Sequence, residues 1–154
     1  MALTDVARIE ELHCLVTNAF RALAVDPPSG VLKETVDDFR YRLQAETALV
    51  VEVEGALVGG VFCAPMKDSL YVGRLAVRDD FKRKGIASAL LDAAKVEAKR
   101  RGLERVTLSS RIALKSNIAL FRKHGFVVVG ESSHPGFSYP TSCDMELKLN
   151  DGIE

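Results

Sequence analysis

The spacing of apolar residues predicts two helices near the start of the chain. Apolar side chains recur every three or four positions, as one face of a helix requires, at Ile9, Leu12, Val16, Ala19, Phe20 and Leu23. Thr4 stands before this stripe as a candidate N-cap, and the run Pro27-Pro28-Ser29-Gly30 ends the helix. A second helix is predicted over residues 32–44.

From residue 48 onward the helical spacing gives way to short apolar and β-branched runs. Residues 48–53, 57–64 and 70–77 predict three successive strands, with Glu54-Gly55 as a tight turn between the first two. Residues 85–101 then predict the longest helix. Its buried stripe is Ala87, Leu90, Leu91, Ala94 and Ala98, and its water-facing side is Ser88, Asp92, Lys95 and Lys99.

The last third of the pattern predicts alternating elements. These are a strand over 105–109, a short helix capped by Ser116 and ending at His124, and strands over 126–130 and 142–149. The strand–helix–strand unit within residues 70–110 requires a right-handed crossover and a parallel pair, whereas the hairpins around it are antiparallel. We therefore expect one α/β domain over residues 1–154, with a mixed, mostly antiparallel sheet flanked by helices.

Composition narrows the class of protein. Hydrophobic residues make up 47% and charged residues 27% of the 154 positions, which is typical of a globular domain. The apolar runs are too short and too interrupted for a membrane span, and the N-terminus lacks the order of a secretory signal. Cys14, Cys63 and Cys143 cannot all pair. These features predict a cytoplasmic protein with no membrane partner.

Charge is balanced overall but unevenly placed. Residues 74–124 hold fourteen basic and five acidic side chains, whereas residues 1–73 hold six and eleven. Such a positive middle favours an anionic ligand, although solvated helix faces are the better explanation for most of these lysines. Aromatic residues do not interleave the basic ones, so we expect no nucleic-acid partner.

The junction at residues 78–87 carries the clearest chemical signal. A strand ends, the basic run Lys82-Arg83-Lys84 follows, and a helix begins at Gly85 with the small residue Ala87 in its first turn. Unpaired amides at a helix start form a ready anion site. The segment matches neither GxxxxGK[ST] nor GxGxxG. From this spacing alone, a plain helix start after a charged loop is as good an interpretation as a pyrophosphate site.

Two motifs in order make the anion site the better interpretation. Residues 82–87, Lys-Arg-Lys-Gly-Ile-Ala, resemble the acyl-CoA pyrophosphate signature [QR]-x-x-G-x-[GA] of the GNAT acetyltransferases, and Leu-Ala-Val at 75–77 is similar to the strand that precedes it. Residues 119–126, Ala-Leu-Phe-Arg-Lys-His-Gly-Phe, resemble the family's second motif, A-L-Y-x-x-x-G-F. The resemblance extends over residues 47–148.

The resemblance implies a GNAT-like fold, acetyl-CoA as cosubstrate and no metal. In this family two central strands splay apart and hold the pantetheine arm between them. The implied cofactor-binding residues are Leu75, Ala76, Val77, Lys82, Arg83, Lys84, Gly85, Ile86, Ala87, Ser88, Asn117 and Phe121. The amine attacks the thioester directly, so the cysteines are expected to fill core positions and not to act as nucleophiles.

Three departures from the family pattern stand out. Lys82 replaces Gln or Arg, which keeps the charge and loses bidentate geometry. Phe121 occupies the position of a Tyr that protonates the departing thiolate, so either another group serves or the step proceeds without an acid. The family's first strand precedes the first helix, and only residues 1–3 remain for it here.

Candidates for proton transfer lie in two places. His134 and Tyr139 stand in a loop with two prolines that joins the last two strands, although a rigid connector explains that loop as well. Tyr71 and Arg74 stand on the central strand, with Arg111 as a candidate at the site entrance. The other two histidines, His13 and His124, are interpreted as structural.

The leading hypothesis is an enzyme that moves an acetyl group from acetyl-CoA to an amine of a small molecule or peptide. The alternative is a non-catalytic acyl-CoA-binding regulatory module, and a basic nucleic-acid-binding domain is the third candidate. For the assembly we expect a homodimer, the commonest oligomer of soluble proteins.

Overall fold

The structure, a computed structural model, describes residues 8–23 and 25–149. The predicted Thr4 cap and the first strand at residues 1–3 lie outside this part. The helices are α1 (Ile9–Arg21), α2 (Val36–Arg42), α3 (Ile86–Arg100) and α4 (Lys115–Lys123), with 3-10 turns at Gly30–Lys33 and Asp79–Phe81. The strands are β1 (Thr47–Val53), β2 (Ala56–Pro65), β3 (Ser69–Val77), β4 (Arg105–Arg111), β5 (Val127–Ser132) and β6 (Ser142–Lys148).

The six described strands form a single sheet in the order β1-β2-β3-β4-β6-β5. Every neighbouring pair is antiparallel except β3 and β4. Helix α3 connects these two parallel strands, as the crossover rule requires. The predicted α/β fold, with a mixed and mostly antiparallel sheet around a central β-α-β unit, is confirmed.

Successive side chains of the sheet point to opposite faces, and each face packs into its own hydrophobic core. On one face, α3 and α4 pack through Leu90, Leu91, Ala94 and Phe121, together with Phe126 just before β5, against strand residues such as Leu49 and Val61. On the other face, α1 and α2 pack through Leu12, Val16 and Phe39 against Val50 and Phe62. Since a strand turns successive side chains to opposite faces, the unbroken apolar run of β1 and β2 serves both cores.

Three local predictions are wrong. Residues 32–44 do not form one helix, because a 3-10 turn ends at Lys33 and α2 begins only after the capping box of Thr35 and Asp38. Ser116 does not cap α4, which begins at Lys115 with no side-chain cap. On α3, Ser88 and Lys95 were expected to face water, but both contact His124 and are half-buried.

Two glycines fix how α3 lies on the sheet. Gly102 follows the helix with φ +72°, and the bond from the Leu103 N–H to the Ala98 carbonyl, 3.0 Å, completes an αL stop. Gly59 on β2 lies under the first residue of α3, and an added Cβ there would stand 2.6 Å from Ile86 Cγ2. The absence of a side chain at Gly59 therefore brings the start of α3 close to the strands.

Candidate active site

A cleft of about 990 Å³ opens where the two parallel strands separate. β3 and β4 pair only over Ser69–Tyr71 and Arg105–Thr107, although both strands continue for several residues. Beyond this point the residues at 72–77 on β3 and at 108–111 on β4 face each other across the cleft. The edge of β3 is therefore left without a strand partner among the described residues, and its backbone groups are available to an extended ligand.

A β-bulge interrupts the pairing of β3 with β2 in the segment that lines the cleft. Gly60 of β2 pairs with Ala76 and Phe62 pairs with Gly73, so two residues of β3, Arg74 and Leu75, oppose one residue of β2. Arg74 has φ +55°, a left-handed conformation that is uncommon for a residue with a side chain. The bulge turns the Arg74 side chain away from the neighbouring strand and toward the loop before α2.

Six consecutive backbone amides stand free at the start of α3. The Ala89 N–H donates to the Gly85 carbonyl at 2.9 Å, the first bond of the helix. The N–H groups of residues 83–88 donate to no acceptor in the described part of the chain. Gly85 has φ +81°, and no atom lies within 4 Å of the position of a Cβ there. These open, unpaired amides at the positive end of α3 fit the diphosphate of an acyl-CoA.

The basic loop before α3 is only partly turned toward the cleft. Lys82 and Arg83 line it, and Lys82 also stands 3.6 Å from exposed Asp79. The Lys84 ammonium lies over the Phe81 ring, 5.0 Å from its centre. Phe81 lines the cleft whereas Lys84 does not. The assignment of all three basic residues to cofactor binding stays a prediction.

Ser88 connects the first turn of α3 to His124 at the end of α4. His124 Nε2 lies 3.0 Å from Ser88 Oγ, and the Lys95 ammonium lies 3.4 Å from His124 Nδ1. Burial, and then the Lys95 charge, lower the pKa of His124, so its ring is neutral at pH 7. His124 Nδ1 also lies 3.5 Å from the Asp92 carboxylate, and the ring nitrogen that carries the proton decides the direction of the hydrogen bond to Ser88. Ser88 lines the cleft, so its hydroxyl can contact a bound anion.

Helix α4 supplies the opposite wall through Asn117 and Phe121. Phe121 is buried and packs edge-on against Phe126, with ring centres 6.1 Å apart. Its ring has no proton to give, as expected from the sequence. The Asn117 side chain has no hydrogen-bond partner among the described residues and is free to bind a ligand amide.

The far end of the cleft is built by α1, by the segment after it and by the bulge. The Glu34 carboxylate at this end accepts hydrogen bonds from two arginines. Arg74 donates two hydrogen bonds to this carboxylate, from Nε at 2.8 Å and from Nη2 at 2.5 Å, and Arg42 donates a third at 3.0 Å. Sequence reasoning named Arg74 and missed Glu34, because no local pattern connects residues forty positions apart.

The ionisation of Glu34 follows from this network. Burial alone would raise the pKa of Glu34, but the hydrogen bonds from Arg74 and the charges of Arg74 and Arg42 outweigh it and hold the pKa below its ordinary value. Glu34 is therefore a carboxylate at neutral pH and a weak proton acceptor. His13, which was interpreted as structural, lies with Nε2 2.7 Å from the Glu34 carbonyl oxygen.

The three predicted proton-transfer residues separate in space. Tyr71 lines the cleft, with its ring over Gly73 and its hydroxyl without a partner among the described residues. His134 and Tyr139 do not line it. The His134 ring is bonded to the Thr141 hydroxyl, and Tyr139 is 60% exposed and packs on Phe137. The loop between β5 and β6 folds on itself, which places both candidates outside the cleft.

Two of the three thiols, Cys63 and Cys143, are core side chains as expected, whereas Cys14 is not. Burial raises the pKa of Cys63 to about 12 and also raises the pKa of Cys143. Both are therefore thiols, not thiolates, at neutral pH. Cys14 is exposed on α1, and none of the three forms a disulfide.

Comparison with known proteins agrees with this geometry. The family model described as acetyltransferase (GNAT) family matches residues 11–126, most of the chain, and the chain therefore belongs to this family. Its members transfer acetyl groups from acetyl-CoA. No curated protein sequence matches the chain. No described helix is both long and apolar enough to cross a bilayer.

Solved structures of low sequence identity share the fold. PaiA N-acetyltransferase from Thermoplasma acidophilum, in complex with coenzyme A, superposes with a TM-score of 0.83 at 14% identity, over 95% of this chain and 96% of that one. The ribosomal-protein-S18-alanine N-acetyltransferase from Escherichia coli gives 0.76 at 16%, over 100% and 99%. YncA, a putative acetyltransferase from Salmonella typhimurium with acetyl-CoA, gives 0.73 at 17%, over 97% and 95%.

Proposed function

We propose that this protein transfers an acetyl group from acetyl-CoA to an amine of a small molecule or peptide. The observation that carries the proposal is the cleft between β3 and β4. Free amides lie at one end of it, and both polar and apolar side chains line the other end. We further infer one domain over residues 1–154, a cytoplasmic location that suits three unpaired cysteines, and a homodimer.

We assign each wall of the cleft a role. The amides of residues 83–88 and the Ser88 hydroxyl hold the diphosphate, with charge from Lys82 and Arg83. The open edge of β3 at residues 75–77 binds the pantetheine arm and polarises the thioester carbonyl with a backbone N–H. Asn117 binds an amide of the same arm. None of these roles needs a side-chain nucleophile.

The reaction on this surface is direct attack. Acetyl-CoA supplies an activated acyl group as a thioester. The lone pair of a neutral amine forms the new C–N bond, the C–S bond breaks, and the sulfur leaves with the bonding electrons. The amine then loses a proton, for which the Tyr71 hydroxyl is the group in the cleft best placed to relay it to water. An ordinary thiol has a pKa of about 8.5, so its thiolate is a good leaving group and departs without full protonation.

One observation favours a second function. Phe121 lacks the acid of the family pattern, and Glu34, held by two arginines, is a weak base. A protein with this cleft and no turnover would bind acyl-CoA as a regulatory module.

The cofactor half of the proposal is tested by Gly85→Glu. A carboxylate at this position meets the diphosphate, and we expect CoA affinity measured by calorimetry to fall about 100-fold or more. Gly102→Glu is the matched control, because Gly102 has the same left-handed backbone, φ +72°, at the other end of α3. Equal CoA affinities of the two variants would show that the diphosphate binds at a different place in the protein.

The transfer half is tested by release of free thiol from acetyl-CoA in the presence of an amine panel. The panel holds amino acids and their amides, polyamines, aromatic amines and peptides with free N-termini. Amine-dependent thiol release that Gly85→Glu abolishes is the expected result. Tight CoA binding with no release from any amine would reject the enzyme in favour of the binding module.

A further inference from the structure

Arg111 at the end of β4 is held in the cleft wall by backbone carbonyls. Its Nη1 donates to the Pro27 carbonyl at 2.5 Å and its Nη2 to the Pro28 carbonyl at 3.4 Å. A guanidinium has five N–H donors, so three of them remain without a protein acceptor among the described residues. The two carbonyls fix the plane of the group, which is therefore ready to bind a planar partner.

The charge of Arg111 is uncompensated, in contrast to that of its neighbour in the same wall. Arg74 is neutralised by the Glu34 carboxylate. No carboxylate in the described part of the chain lies within 4 Å of the Arg111 guanidinium. Burial lowers the pKa of Arg111, with only a partial offset from the charge of Asp26. The group nonetheless stays protonated at neutral pH, so this end of the cleft contains one unpaired positive charge.

The cleft wall formed by α1 and the segment after it is mainly apolar. Its half-buried apolar side chains are Ala19, Phe20, Leu23, Val25 and Val31, beside the polar Ser29 and Glu34. A desolvated guanidinium beside such a surface binds an anion more strongly than an exposed one does. A ligand that fills this end therefore presents both an anionic group and an apolar group.

We propose that Arg111 is a specificity-determining residue that binds the carboxylate of the acceptor, and that the acceptor is an amino carboxylate with an apolar side chain. The proposal rests on the proposed acetyltransferase function and names its substrate class. One unpaired positive charge matches a singly charged carboxylate better than a doubly charged phosphate. The planar fork of the guanidinium matches the two carboxylate oxygens.

The test uses matched acceptor pairs. Leucine, phenylalanine and methionine are each compared with the corresponding carboxamide, which keeps the amine and the side chain and removes the charge. We expect kcat/KM of the wild type to be about tenfold or more higher for the acid than for the amide, mainly through KM. Arg111→Gln should lower this acid-to-amide ratio about tenfold, and Arg111→Lys should give an intermediate ratio.

A structural role of Arg111 predicts a different result. If Arg111 only ties the segment at residues 27–28 to β4, Arg111→Gln lowers both rates together and leaves the ratio unchanged, which would overturn the proposal. A wild type that prefers the amides would also overturn it. Arg122→Gln, an exposed arginine on the outer side of α4, is the control and should leave the ratio as it is.

Binding separates this proposal from the proposed function. N-acetylleucine and N-acetylleucinamide are titrated by calorimetry into the protein saturated with CoA. Tighter binding of the acid that is lost in Arg111→Gln supports the carboxylate subsite even if no amine releases thiol. Equal binding of acid and amide rejects the subsite, whereas absence of thiol release across the whole amine panel rejects the transferase and not the subsite.

Discussion

The two ends of the cleft are built in different ways. The cofactor end comes mainly from one continuous stretch, residues 75–88, which presents backbone groups, with Asn117 and Phe121 of α4 on the opposite wall. The acceptor end brings together side chains from three distant segments, with Glu34 before α2, Arg74 on β3 and Arg111 on β4. A backbone site tolerates many side chains, as Lys82 in place of Gln or Arg illustrates. A side-chain site changes its ligand when a single residue changes.

This contrast predicts where mutations act. A change at the acceptor end should alter stability and acceptor choice while CoA binding stays nearly constant. A change at the start of α3 should abolish CoA binding and leave the acceptor wall intact. The next three predictions test this separation, two at the acceptor end and one at the residue between the ends.

The largest effect at the acceptor end is expected for Glu34→Gln. The change leaves Arg74 and Arg42 without their shared carboxylate, and the half-buried network should lose about 1–2 kcal/mol of unfolding free energy at pH 7. Asp37→Asn is the control, because the Asp37–Arg40 pair is exposed and its loss should cost less than about 0.5 kcal/mol. CoA affinity should change less than about threefold in both variants.

The pH dependence of this effect has a definite sign. The pKa of Glu34 is below its ordinary value of 4.5 in the folded protein. The contribution of Glu34 is therefore complete above pH 4.5 and is lost as the pH falls below it. The difference in unfolding free energy between wild type and Glu34→Gln should shrink toward zero as denaturant titrations are moved from pH 7 to pH 3. A constant difference would mean that the ionised network does not stabilise the fold.

A smaller effect is expected for Phe121→Tyr, between the two ends. A hydroxyl at this position offers the proton that the family pattern supplies to the departing sulfur. General acids contribute about 10²-fold or more where they are needed, but a thiol is a good leaving group, so we expect kcat to rise only about tenfold or less. Phe137→Tyr, an aromatic residue outside the cleft, is the control. An unchanged kcat would show that thiolate protonation does not limit turnover.

The sequence predicted the two ends unequally well. Gly85, the basic run and the strand before them are neighbours in the chain, so the family pattern could predict an anion site there, and the structure shows unpaired amides at that position. The bulge at Arg74 was not foreseen, because nothing in the sequence of β3 signals a left-handed arginine. Glu34 was missed, and His134 and Tyr139 lie outside the cleft, since loop folding decides which distant side chains meet.

The start of α3 gives the most direct test. Amide resonances of ¹⁵N-labelled protein are followed during titration with CoA and, separately, with pantetheine, which lacks the diphosphate. The amides of residues 83–88 should shift strongly with CoA and hardly at all with pantetheine, while those of residues 72–77 should respond to both. Resonances of residues 83–88 that stay in place at saturating CoA would contradict the assignment of the diphosphate to this helix end.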